Sequence, residues 1–110
     1  METRTSDRIR ALNDDLRQHH RGGRIVLTAG VRSLSSATIQ RIDEALASFS
    51  GFNADNDPHG EHDFGSFEIG SDVIFFKIDY FDLDIRFQSP DPADPHVTCR
   101  VLTVMLANEY

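Results

Sequence analysis

The chain has 110 residues, 39% of them hydrophobic and 26% charged, with a net charge of −7, which fits one globular domain and excludes a disordered or fibrous chain. Cys99 is the only cysteine, so no internal disulfide can form and a reducing, cytoplasmic setting is expected; the start Met1–Asp7 lacks the apolar core of a signal peptide, and runs such as Val73-Ile74-Phe75-Phe76 are too short to cross a bilayer. Residues 1–41 hold eight Arg against four acids, whereas residues 42–110 hold three basic residues against fourteen acids, a balance that argues against direct nucleic-acid binding and for a basic partner.

Residues 1–6 read as a disordered tail. A first helix is predicted from about Asp7 to Arg21, capped by Ser6 or Thr5, with Ile9, Leu12 and Leu16 as a narrow apolar stripe and Gly22-Gly23 as its stop. Arg24 to Thr28 reads as a short strand covered on both faces, ended by Gly30. A second helix starts at the N-cap Ser35, buries Ile39, Ile42, Leu46 and Phe49, and ends at Gly51 in a left-handed conformation.

After a polar loop over 52–61, three strands are predicted as an antiparallel meander: Phe64–Ile69, Val73–Tyr80 and Ile85–Gln88. Gly70-Ser71 makes the first turn. Alternation assigns Phe67, Ile69, Ile74, Phe76, Ile78, Tyr80, Ile85 and Phe87 to the core face. It assigns Ser66, Glu68, Phe75, Lys77, Asp79, Arg86 and Gln88 to an open polar face, where the charges could pair across strands. Asp94-Pro95 should open a third helix, with Val97, Val101, Val104 and Met105 on one side and Leu102 and Leu106 widening that apolar face. The expected fold is α+β: a two-layer sandwich in the order α-β-α-β-β-β-α, one domain over 1–110, with helices on one face of a three-stranded meander.

The densest chemistry lies in Asn53–Gly65. Asn53, Asp55 and Asp57 have the alternate spacing of a calcium loop, but Pro58 stands where Gly is needed and Phe64 where Glu is needed, which rejects an EF-hand. His59 and His62, with Glu61 or Asp63, offer a transition-metal set, and this supports a metal-assisted hydrolase as the alternative function. Asp63, Glu68 and Lys77 carry nuclease residue types at the wrong spacing. Cys99 would sit near a helix start, with His96 three residues before it. No nucleophile elbow, phosphate loop or dinucleotide fingerprint is present.

The segments Asn56-Asp57-Pro58-His59-Gly60-Glu61-His62-Asp63-Phe64-Gly65, Lys77-Ile78-Asp79-Tyr80, Ser89–Pro95 and Arg100–Ala107 resemble a family of short bacterial proteins, mostly alphaproteobacterial, classed as a domain of unknown function (DUF3768). The likeness runs from about Arg8 to Tyr110. It implies a compact bacterial domain and transfers no catalytic residue or cofactor. The residues therefore favour a non-enzymatic interaction module with an acidic surface, for which Asp55, Asp57, His59, Glu61, His62, Asp63, Asp79 and Arg86 are the candidate binding residues. The partner expected is a basic protein surface or a second copy, with no nucleic acid and no membrane.

Overall fold

The computed structural model describes residues 4–110. Helix α1 spans Thr5–His19, so Thr5 and Ser6 are helical, while residues 1–3 of the expected tail lie outside the described residues. Arg4 is its N-cap and makes no side-chain cap bond, in place of the hydroxyl cap expected. The helix stops at His20, which adopts φ 56 and returns its N–H to the Leu16 carbonyl at 2.9 Å. Strand β1 follows at Arg24–Leu27. Gly30 does not end it: Gly30 lies in a one-turn helix, α2 (Ala29–Arg32), whose first turn is capped by the Thr28 hydroxyl.

Helix α3 (Ser36–Ser48) begins as expected, with Ser35 Oγ accepting the Thr38 N–H at 3.1 Å. It ends at Phe49, whose extended backbone (φ −59, ψ 132) breaks the helix, so Gly51 is not its left-handed stop. The hairpin β2 (Phe64–Ile69) and β3 (Asp72–Phe81) also forms where alternation put it, and Gly70 turns the corner at φ 60.

Two expected elements are replaced. Ile85–Gln88 is not a strand but part of a tight loop, joined to β3 by a single bridge between Phe81 and Gln88. Local bonds to Asp82 win there: its carbonyl accepts the Ile85 N–H (3.0 Å), its carboxylate accepts the Arg86 N–H (3.0 Å), and its N–H donates to the Phe87 carbonyl (2.9 Å). Ile85 is turned to φ 57. Ile85 and Phe87 consequently face water and leave the core.

The expected third helix is strand β4, Cys99–Leu106. Its side chains are rich in β-branched Val and Thr, and Arg100, Leu102 and Val104 alternate into the interior. A short apolar run of this length fits a helical stripe and a central strand equally well by periodicity.

The sheet order is β1-β4-β3-β2. Strand β4 pairs antiparallel with β3 from Ile74 to Phe81, and parallel with β1. The fold is therefore α+β with a four-stranded mixed sheet and its core on one face. Leu16, Val31, Ile42 and Leu46 from the helices meet Ile69, Ile74, Phe76, Ile78, Leu102 and Val104 from the sheet. Strand β1 is an edge, and Val26 is 45% exposed, contrary to the expected double cover. On the uncovered face Lys77 pairs with Asp79 along β3 at 3.0 Å, not across strands.

Candidate functional site

The loop 52–63 is built from its own side chains. Asn53 Oδ1 accepts the N–H groups of Asp55 and Asn56, and Asn56 Oδ1 accepts that of Asn53. Asp57 is buried, and its Oδ1 accepts the N–H groups of Glu61 (3.0 Å) and His62 (3.1 Å). Around it the chain turns through Gly60 (φ 69) and His62 (φ 57). These are the turn-forming uses of Asn, Asp and Gly that a polar loop needs.

Helix α1 then holds this loop down. Arg10 donates to the Gly60 carbonyl (3.2 Å), and Asn13 Nδ2 to the Glu61 carbonyl (2.9 Å). Asp14 Oδ1 lies 2.9 Å from His62 Nδ1, while the His62 ring stacks on Phe52 with centroids 3.9 Å apart. Arg17 runs beneath, 5.3 Å from the centroid of the Phe52 ring, and donates to the carbonyls of Leu46, Ala47 and Phe49 at the end of α3.

A polar network continues inward from Glu61. Its Oε1 accepts the Tyr80 hydroxyl (2.9 Å), and the same hydroxyl accepts from Asn13 Nδ2 (2.8 Å). Asn13 Oδ1 accepts from Arg100 Nε (2.7 Å), and Arg100 Nη2 donates to the Pro92 carbonyl. The Arg100 guanidinium lies over the Tyr80 ring at 5.2 Å. Burial dominates the titration of these groups: it raises the Tyr80 phenol above its usual range and lowers the Arg100 guanidinium below its own. The hydroxyl stays a donor and the network stays fixed.

The candidate residues therefore separate. Asp57, Glu61 and His62 are tied into the fold, whereas Asp55 and His59 are exposed. Asp63 and Asp79 share a cleft of about 210 Å³ with Tyr80 and Gln88. Burial raises the Asp63 carboxyl above its ordinary value. Arg86 sits apart on the 82–88 loop. Among the described residues no group of three or more His, Cys, Asp or Glu is placed to hold a metal. His62 is engaged with Asp14 and Phe52, whereas His59 is exposed. Cys99 opens a strand, so no helix dipole acts on its thiol.

Sequence reasoning missed Asn13, Arg17 and Arg100, all essentially inaccessible to solvent. Asn13 carried a readable signal: it lies midway between Ile9 and Leu16 on the apolar stripe, where a polar residue needs a buried partner. It also missed a surface feature. The 82–88 loop exposes Leu83 (63%), Ile85 (39%) and Phe87 (74%).

The chain belongs to a family described as a protein of unknown function (DUF3768), whose model matches residues 27–109. No curated protein and no solved structure matches it. Among the described residues no helix is long and apolar enough to cross a membrane.

Proposed function

We propose that this member of the family is a non-enzymatic interaction module that docks on a cytoplasmic partner protein through the 82–88 loop. The observation that carries this reading is the exposure of Leu83, Ile85 and Phe87 on one preorganised turn. Single exposed apolar side chains are ordinary, but three on a loop held open by Asp82 form a ready anchor. Fully burying one such side chain contributes roughly 1.5–3 kcal/mol. A loop already ordered loses little further entropy on binding.

Charge defines the partner. Asp82, Asp84 and Arg86 alternate with the apolar residues, and residues 42–110 around them hold fourteen acids against three basic residues. The matching surface is an apolar pocket rimmed by Lys or Arg. Tagged protein should retain a partner from lysate of its own source at low salt and release it as salt rises. The variant Leu83→Ser/Phe87→Ser should fold normally and retain none of it. Equal retention by both proteins, or none above background by the parent, refutes the proposal.

A further inference from the structure

Strand β1 is a sheet edge with a self-complementary pattern. Thr28 donates its N–H to the Val104 carbonyl at 3.1 Å. By the two-residue repeat of a strand, Val26 and Arg24 also turn their main-chain groups toward β4. Those of Ile25 and Leu27 point away from the sheet, and among the described residues they have no main-chain partner. On the helix side, beside this edge, an apolar cavity of about 430 Å³ opens between β1 and α3. Ile25, Leu27, Ile39, Ile42, Leu46 and Val104 line it.

We propose that β1 pairs antiparallel with β1 of a second copy, joining two sheets into one of eight strands. The register follows from which groups are free. Val26 faces Val26 of the other copy on the twofold axis. Ile25 and Leu27 each exchange two main-chain bonds with Leu27 and Ile25 across it. Arg24 then stands opposite Thr28 of the other copy.

Charge complementarity selects a second copy over any other strand. Glu109 lies at the Thr28 end of β1. Its carboxylate is fixed by the Thr28 hydroxyl (2.6 Å), the Leu106 N–H (2.8 Å) and the Gly30 N–H (3.2 Å). The register brings exposed Arg24 of each copy to Glu109 of the other, so one attractive pair forms twice. Val26, 45% exposed in the isolated chain, is covered on the axis. Ile25 and Leu27 of each copy come to the open flank of the other's cavity. The 82–88 loop flanks β3 on the side of β2, at the far side of the sheet from β1, so partner docking and self-pairing are separate events.

A four-residue strand pair is a small interface, so the dimer should form with rising concentration and weaken with salt. Sedimentation should show this for the parent. Hydrogen exchange should show the amides of Ile25 and Leu27 gaining protection with concentration, while those of Arg24 and Val26 are protected throughout. Arg24→Glu and Glu109→Lys should each be monomeric alone and form a heterodimer when mixed, since mixing restores both charge pairs. A parent that stays monomeric at every concentration, or a dimer in which Ile25 and Leu27 gain no protection, overturns the proposal. So does a mixture that remains monomeric while both variants keep the parental circular dichroism spectrum.

Discussion

Asp57 is buried and accepts the main-chain N–H groups of Glu61 and His62, and both lose their acceptor if the carboxylate is removed. Leaving a buried donor unpaired costs about 1–3 kcal/mol. Asp57→Ala is therefore expected to destabilise the fold by about that much, read as a lower denaturant midpoint at unchanged slope. Asp55→Ala should change almost nothing, because Asp55 is exposed. In the sequence the two acids look alike. What separates them is the left-handed turn at Gly60 and His62, which brings the following amides back onto one carboxylate. Asp63 makes a different prediction. Burial raises its carboxyl above the usual 3.8, so the folded chain holds that proton more tightly than the unfolded one. Its contribution to stability is present below the usual carboxylate value and is lost as pH rises through the higher folded value. Asp63→Asn should remove that part of the pH dependence, and a melting series across mildly acidic pH checks it. Identical slopes for both proteins refute the assignment.

The elements legible in the sequence are those fixed by neighbours. Ser35 caps α3 with its own hydroxyl, and β2 and β3 are joined by two residues at Gly70, so short-range chemistry decides both. Strand β4 was illegible because its partners are distant. It pairs with β1, more than seventy residues earlier, and Val101–Leu106 reads as a helical stripe until that pairing is known. The central position of β4 has a measurable consequence. Leu102→Ala should cost about 2–5 kcal/mol, as for a fully buried leucine, while Phe87→Ser should stay within roughly 0.5 kcal/mol. Periodicity had placed Leu102 and Phe87 alike in apolar faces. Gly65 tests the packing between layers. A Cβ there would lie 2.5 Å from Phe76 and 2.9 Å from Phe49, both ring carbons. Gly65→Ala should then destabilise by about 1–3 kcal/mol through overpacking, although its backbone needs no positive φ.

At the scale of the whole molecule, α1 lies directly on the acidic 55–63 loop, through Arg10, Asn13 and Asp14, and its own three Arg are matched by three Asp. All of α1 precedes the residues matched to the family, 27–109, yet the core is incomplete without it. Leu16 and Asn13 are fully buried, and Arg17 closes the end of α3. Removing residues 1–22 would leave Arg100 Nε without its Asn13 partner, the Leu46 and Phe49 carbonyls without Arg17, and the loop without Arg10 and Asp14. Each buried unpaired group costs about 1–3 kcal/mol, against a total stability of about 5–15 kcal/mol for a domain of this size. The fragment 23–110 is therefore expected to lose its cooperative thermal transition and its near-ultraviolet circular dichroism, with the full chain melting in one step. A sharp transition in the fragment would make α1 an accessory to a smaller folding unit. It would also move the lower boundary of that unit toward the start of β1.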